Sequence, residues 1–256
     1  VSNPLASLRG PGYGPKTLAV AGGQVYVPLP PRGPLHALDA ETGDVVRTFP
    51  ALTTLEQFIV HGDAIIGVCA ERGARADKEL VACDATTGRV RWRLAGPTPG
   101  DVSFLTLAAQ DNRLVLQNSR AVICLDAGTG ATVWEHPCNQ QHPAAVASAN
   151  VTVARDVVLF SEITSFKDGT GQVHAVRLDD GSPLWSQSAA TGWGSPVDIL
   201  CIGDTVWVGQ AAKRGSGSGH PRGEQDFTRG FDLHTGTVVQ ELDTSRAFVD
   251  RPHHHR

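Results

Sequence analysis

Residues 82–92 read ACDATTGRVRW, and most of that stretch returns along the chain: LDAETG at 38–43, LDAGTG at 125–130 and FDLHTG at 231–236. A further copy, AVRLDDG at 175–181, departs from the pattern. It has Arg177 where the others carry Asp39, Asp84, Asp126 and Asp232, and Asp180 where they carry Thr. Aligned on their closing glycines, Gly43, Gly88, Gly130, Gly181 and Gly236, the five copies recur at intervals of 45, 42, 51 and 55 residues. A tryptophan follows the glycine by four positions in three copies, as Trp92, Trp134 and Trp185; Arg47 and Gln240 hold that place in the first and fifth.

A second landmark precedes each turn. An apolar run breaks at a small polar pair and resumes, as in LAVAGGQVYV (18–27), FIVHGDAIIGV (58–68), LTLAAQDNRLVL (105–116), VTVARDVVLF (151–160) and DILCIGDTVWV (198–208). Each predicts two strands joined by a tight hairpin, because Gly, Asn and Asp tolerate the backbone such turns require. Two more strands flank each acidic turn, for example AVICLD (121–126) with TVWEH (132–136), and QVHAVRL (172–178) with PLWSQ (183–187). Four strands per repeat of this length is the sequence pattern of a β-propeller blade. No sustained 3.6-residue periodicity opposes that reading. The expected fold is all-β: four-stranded antiparallel blades with repeats over 17–49, 57–94, 104–136, 149–187 and 197–242, and 243–256 as a tail or the start of a further blade. Residues 1–256 are expected to form a single propeller domain or a fragment of a seven- or eight-bladed one, whose outer blades would present unpaired strand edges.

The repeated residues have structural explanations. The Asp carboxylate can accept backbone N–H bonds within the turn, and the Thr hydroxyl can do so more weakly. The glycine supplies a left-handed backbone. The tryptophan is long enough to act as a wedge against the neighbouring blade.

Composition narrows the function classes. A net charge of −4 gives no electrostatic case for nucleic acid. The apolar runs are short and interrupted, so no membrane-spanning helix is expected. The chain starts at Val1 and contains no Met, which suggests a mature form, a trimmed domain or a fragment. Cys69, Cys83, Cys124, Cys138 and Cys201 include no CxxC and no adjacent pair, so zinc and dithiol chemistry lack support. Cys83, Cys124 and Cys201 sit in apolar runs and read as small core residues.

Variation concentrates in two kinds of connection. One joins the second and third strands: AERGARADKE (70–79), TSFKDGTG (164–171) and QAAKRGSGSGHPRGEQDFTRG (210–230). The other joins successive blades: EHPCNQQHPAAVASAN (135–150) and QSAATGWGSPVD (187–198). In an up-and-down blade both emerge at the same end, opposite the short hairpins. Binding to a protein or small ligand is therefore expected at the elaborated end. Lys213, Arg214, His220 and Arg222 lie in the Gly/Ser-rich segment and could clamp an acidic partner. Trp193 is the candidate stacking residue. No metal site is expected. His253, His254 and His255 cannot all face one ion from a regular strand, which leaves His253 and His255 as the candidate ligands, against a polar strand start or a purification-tag remnant.

The pattern A-x-D-x-x-T-G-x-x-x-W, complete in ACDATTGRVRW and nearly so in ALDAETG and CLDAGTGATVW, resembles the repeat of the pyrroloquinoline-quinone (PQQ) propellers, over residues 17–242. SRAFVDRPHHHR is similar to a stretch of large PQQ-like repeat proteins of planctomycete-type bacteria, where His-His-Arg leads into a further blade. The resemblance implies a bacterial, periplasmic or envelope protein. It is compatible with two activities, because the family includes quinoprotein dehydrogenases and an outer-membrane-assembly scaffold without quinone. The dehydrogenases use a calcium-bound quinone, an Asp base and, in many, an adjacent-cysteine disulfide; no such pair occurs here and no base or calcium ligand can be assigned. The expected function is a non-catalytic scaffold without a cofactor. The alternatives are part of a PQQ- and calcium-dependent alcohol or sugar dehydrogenase, or a sensor propeller fused to an enzyme outside this chain.

Overall fold

The computed structural model describes residues 17–70, 78–96, 98, 102–103, 106–138, 150–165, 170–190, 199–210 and 227–243. They form twenty strands and no helix. Blade 1 consists of β1 (Ala19–Ala21), β2 (Gln24–Pro28), β3 (Leu35–Asp39) and β4 (Val45–Phe49). Blade 2 holds β5 (Leu55–His61), β6 (Ala64–Cys69), β7 (Glu79–Asp84) and β8 (Val90–Leu94). Blade 3 holds β9 (Ala108–Gln110), β10 (Arg113–Gln117), β11 (Ala121–Asp126) and β12 (Thr132–Pro137). Blade 4 is β13 (Val151–Ala154), β14 (Val157–Ser165), β15 (Thr170–Arg177) and β16 (Pro183–Ala190). Blade 5 is β17 (Ile199–Ile202), β18 (Thr205–Gln210), β19 (Phe227–Asp232) and β20 (Val238–Asp243). Each sheet keeps its strands in sequence order, and the strand pairs are antiparallel, so every blade is an up-and-down meander of a β-propeller. The chain divides into two compact units: Pro15–Asn118 with Ile123–Trp134, and Ser119–Val122 with the chain from Glu135 onward.

The hairpins fall where the polar pairs predict them. Ala21 pairs with Gln24 across Gly22-Gly23, His61 with Ala64, Gln110 with Arg113, Ala154 with Val157 and Ile202 with Thr205. The first residue of each pair is left-handed, including the non-glycines Asp111 and Arg155.

The acidic turn is one structure made five times. The closing glycine has φ between 67° and 77° in every copy. Its N–H donates to the carbonyl of the residue four before it, as Gly43 to Asp39 and Gly88 to Asp84, both closing at 2.9 Å or less. Asp39 Oδ1 accepts the amides of Glu41 and Thr42, and Asp84, Asp126 and Asp232 repeat the bond to the Thr amide. The Thr hydroxyl then accepts the N–H two residues on, as Thr42 does from Asp44. The divergent fourth copy keeps the loop by substitution: Asp180 Oδ1 takes the Ser182 N–H at 2.9 Å, in the role the Thr hydroxyl plays elsewhere. The turn is also tied to its own hairpin. Ala40, Ala85, Ala127, Leu178 and Leu233 donate their N–H groups to Gly23, Asp63, Asn112, Asp156 and Asp204.

Past the glycine the outer strand gains a residue. Leu38 pairs with Val45 but Ala37 pairs with Arg47, and the same shift separates Cys83–Val90 from Ala82–Trp92. This bulge leaves two consecutive residues outward, which is why Val45, Val46, Val238 and Val239 are exposed. It then turns the next side chain inward against the following blade. A Cβ added to Gly130 would lie 2.8 Å from the Trp92 ring, and one on Gly236 2.5 Å from Trp185. Trp92 Nε1 donates to the Ala127 carbonyl at 2.9 Å, and Trp185 Nε1 to Leu233 at 2.8 Å. In blade 1 the aliphatic stem of Arg47 takes this place, 3.5 Å from a Cβ on Gly88. Trp92, Trp134 and Trp185 are all buried.

Between blades the cores are apolar. Tyr26, Leu35, Ala37 and Phe49 of blade 1 pack with Phe58, Ile65, Val81 and Cys83 of blade 2. Leu159, Val173, Ala175 and Trp185 of blade 4 pack with Val206, Val208 and Phe231 of blade 5. A blade covered on both faces needs apolar side chains on both, so AIIGVC and AVICLD are continuous rather than alternating apolar runs. None of the five cysteines forms a disulfide; Cys83 and Cys124 are buried core residues, and Cys201 packs at the edge of the core.

Two predictions follow from the turn. Gly43→Ala introduces only left-handed strain, about 1–2 kcal/mol, because nothing lies within 4 Å of the new Cβ. Gly130→Ala adds a collision with the Trp92 ring and costs more by about 1–3 kcal/mol; urea denaturation of the two variants measures the difference. The second concerns acid. The Thr42 amide holds the Asp39 carboxyl below its ordinary range, the Thr235 amide that of Asp232, the Thr129 hydroxyl that of Asp126 and the Arg91 guanidinium that of Asp84. Folded values below the unfolded value of about 4 mean that this stabilisation is full above that pH and is lost as pH falls through the folded values. The urea midpoint is therefore expected to drop between pH 5 and pH 2 by titration, and the Asp39→Asn/Asp232→Asn double variant to show a shallower drop.

Candidate functional site

The described residues that flank the variable connections bond to one another at the end of each blade opposite the acidic turns. In blades 1 and 2 the connection after β4 bonds to the connections within the blades: Leu35 N–H to Leu52 O, Thr54 N–H to Arg32 O and Ala70 N–H to Thr54 O. Ser103 N–H to Gln117 O, Cys138 N–H to Arg120 O and Ser161 N–H to Asn150 O repeat the arrangement in blades 3 and 4. This is the end at which the sequence places binding.

Buried polar residues collect there. Gln57 sits in β5, and its side chain bridges the Leu107 backbone in both directions, Nε2 to the carbonyl and Oε1 from the N–H. Thr106 Oγ1 donates to Ser103 O at 2.9 Å and accepts from Gln117 N–H at 3.2 Å. Asn118 Nδ2 donates to Thr98 O. Glu56 at the start of β5 and Lys78 just before β7 form an ion pair at 2.7 Å, with side chains 25% and 11% exposed. Lys78 Nζ also donates to the Val102 carbonyl at 2.5 Å. Together these groups fix the connection that crosses from blade 2 to blade 3, because buried backbone polar groups must find partners. The cost of desolvating the Glu56–Lys78 pair is offset only while both partners are present.

A second polar row runs across blade 4. His174 Nδ1 lies 2.8 Å from Ser186 Oγ, and its Nε2 faces Glu162 Oε2 at 3.3 Å without a hydrogen bond. Phe160 stacks on the His174 ring at 4.9 Å, and His136 packs edge-on against Phe160. Hydroxyl, imidazole and carboxylate follow one another here as in a nucleophile relay. However, Phe160, His174 and Ser186 are register partners on adjacent regular strands. No sharp turn raises the Ser186 hydroxyl above the sheet, as a nucleophile elbow would. The row is cross-strand pairing. A cysteine nucleophile finds no support either: burial pushes the Cys69 thiol up to about 12, and raises Cys83 and Cys201.

The site residues named from sequence fall in two groups. The repeat residues, from Asp39 to Gly236, occupy the turns and the blade contacts described above. Trp193, His220, Arg222, His253, His254 and His255 lie outside the described residues, as do most of the long connections. Glu56, Gln57, Lys78 and the Glu162–His174–Ser186 row were missed by sequence reasoning. Gln57 carries a local signal, a polar residue at an inward place in LEQFIVH. Glu56 and Lys78 carry none, since only the sheet register brings them together.

Calcium-bound quinone requires converging oxygen ligands. Among the described residues no group of three His, Cys, Asp or Glu side chains could hold a metal ion. The repeat aspartates are each engaged by their own turns. No helix among them is long and apolar enough to cross a membrane.

Fold and repeat define a β-propeller of PQQ-like blades. A family model described as outer membrane protein assembly factor BamB matches residues 76–250, and the chain belongs to this PQQ-like repeat family. BamB from Moraxella catarrhalis is similar in structure, with a TM-score of 0.57, 17% identity, 89% of this chain covered and 60% of that chain. The quinohemoprotein alcohol dehydrogenase ADHIIG from Pseudomonas putida HK5 gives a TM-score of 0.55 at 14% identity over 90% of this chain and 42% of that one. A europium-containing methanol dehydrogenase gives 0.52 at 12% identity, covering 90% and 62%. At these identities the likeness is one of fold. The chain spans less than two thirds of the length of each of these three proteins. No curated protein matches the sequence.

The ion pair is tested by a double-mutant cycle. Lys78→Met alone leaves the Glu56 carboxylate partly buried and unpaired, at a cost of about 1–3 kcal/mol. The Glu56→Gln/Lys78→Met double variant is expected to cost less than the two single changes summed, measured by urea unfolding.

Proposed function

We propose that this chain is a non-catalytic scaffold of the bacterial envelope or periplasm, whose elaborated end binds a protein or a small ligand. One observation carries the reading. The repeated Asp, Thr, Gly and Trp are consumed by turn closure and blade docking at one end, while the described residues that flank the variable connections lie at the other. A rigid frame with variable loops at one end is the arrangement by which propellers present binding surfaces. The family's description as an outer membrane protein assembly factor is consistent with protein binding. The loops that hold Trp193, His220 and Arg222 are the proposed contact region, with no cofactor required.

The competing reading, part of a PQQ-dependent dehydrogenase, is favoured only by fold likeness to proteins such as ADHIIG. The two readings differ in a simple titration. A scaffold shows no rise in melting temperature and no new absorbance when PQQ and Ca²⁺ are added together. A quinone site at a hundredfold excess over its Kd would stabilise the fold by about 2.7 kcal/mol, and a shift of that size would overturn the scaffold proposal.

A further inference from the structure

Four described residues other than glycine stand in the left-handed region: Arg32, Thr54, Asp111 and Arg155, with φ of 67°, 51°, 50° and 55°. That backbone costs an L residue free energy, and it persists where the surroundings hold it. For two of the four the compensation is visible. Asp111 and Arg155 sit in hairpins where the other blades carry Gly22, Gly62 and Gly203. The Asp111 carbonyl accepts from His61 Nε2, and Arg155 Nε pairs with Asp204 of the next blade at 2.7 Å. Arg32 and Thr54 lie at the opposite, elaborated end and are joined to each other. Thr54 N–H donates to the Arg32 carbonyl at 3.1 Å, and the Thr54 carbonyl accepts the Ala70 N–H at 3.2 Å.

Arg32 belongs to LPPRGP (29–34), the connection between β2 and β3. This connection is closed twice, by Leu29 N–H to Pro34 O at 3.1 Å and by Gly33 N–H to Pro30 O at 2.7 Å. The inner bond makes Pro31 and Arg32 the central residues of a four-residue turn. Proline first and a positive φ second is the type II pattern, whose second central position favours glycine. Here the glycine comes one place later, and it cannot be exchanged: a Cβ on Gly33 would lie 2.7 Å from Pro30 Cδ and 2.8 Å from Pro30 O. The turn thus holds an arginine in a place suited to glycine. Its backbone is fixed and its side chain is exposed. Unlike Arg155, Arg32 has neither an ion pair nor a side-chain hydrogen bond among the described residues. Leu29, 42% exposed, and the exposed Pro30 and Pro31 flank it with apolar surface.

We propose that the 29–34 turn is an interaction surface for a partner protein, in which Arg32 takes the carboxylate of an Asp or Glu side chain set beside apolar residues. This rests on the scaffold reading above and names the chemistry of one contact. A guanidinium meets a carboxylate through two parallel N–H bonds. Leu29, Pro30 and Pro31 supply the surface on which the neighbouring apolar side chains lie. A phosphate is taken by clusters of cations, and Lys78 and Arg93 at this end are already held by Glu56 and Glu79. The doubly bonded turn leaves little backbone freedom to be lost on binding, so only the arginine side chain has to be ordered.

The test has two arms, both on the full chain. Arg32→Gly relieves the backbone and removes the guanidinium; Arg32→Ala removes the guanidinium alone. Neither variant is expected to melt more than about 4 °C below the parent, and Arg32→Gly is expected to melt at or above Arg32→Ala. A larger fall in either variant, or the reverse order, would show that the arginine serves the fold and would overturn the proposal. In the second arm a phage-displayed library of random peptides is panned on the parent chain. The recovered peptides are expected to share an Asp or Glu next to an apolar residue, and to bind both variants at least about tenfold more weakly than the parent. Changing that acidic residue to its amide is expected to give the same loss. Recovery of no acidic binder, or of acidic binders indifferent to Arg32, overturns the proposal while leaving the scaffold reading in place. That reading falls separately, on stabilisation by PQQ with Ca²⁺.

Discussion

The left-handed glycine that closes each acidic turn is the constraint on which the rest is built. An L side chain at φ near 70° meets its own backbone, so the position selects glycine. With that conformation available, the Asp carboxylate can collect the amides of the turn and the fourth residue back can be reached by the glycine N–H. The register then slips by one residue on the outer strand, and the slip aims the next side chain at the following blade. The absence of a Cβ on the glycine lets an indole approach the turn at van der Waals distance. One residue thus serves the turn it belongs to and the contact its neighbour makes.

That chain of consequences explains what could be read from the sequence. The turn and the Trp position are local, within eleven residues, and the hairpin signal is a single residue pair; the turn and the pair recur five times and the Trp three, so each copy supports the interpretation of the others. The same logic accommodates the fourth copy: Arg177 cannot act as the Asp, yet Asp180 supplies an oxygen to the Ser182 amide and the loop closes. What was illegible depends on register across separate strands. Glu56 and Lys78 stand on either side of β6, and nothing in their flanking residues announces an ion pair. His174 and Ser186 meet because β15 and β16 pair in a particular register, beside a bulge between Ala175 and Val176. The variable loops carry no repeat to read against, and Trp193, His220 and Arg222 belong to them.

The two ends of the blades differ in how their polar groups are employed. At the turn end, Asp39 and Asp232 are each satisfied within a few residues, and Arg91 binds Asp63 and Asp84 of its own blade. Groups so engaged are poorly placed to seize a ligand, since a ligand would have to replace bonds already made. At the other end the side chains of Gln57, Thr106 and Asn118 hold backbone, Thr106 that of Ser103 and Gln117. They stiffen the bases of the connections and leave the outer parts of those connections to vary. Rigidity at the base of a variable loop is what lets a binding surface change without disturbing the sheets beneath it.

The motif therefore has an internal hierarchy. All five turns keep the glycine, whether an indole, an arginine stem or, among the described residues, nothing covers it. Only three of five repeats keep the tryptophan, and Arg47 shows that a long aliphatic stem can occupy the same place. The backbone demand is absolute because no other residue relieves it cheaply, whereas the packing demand can be met by several side chains. Within this chain the glycine marks where a blade must turn, and the tryptophan marks where one blade is fastened most firmly to the next.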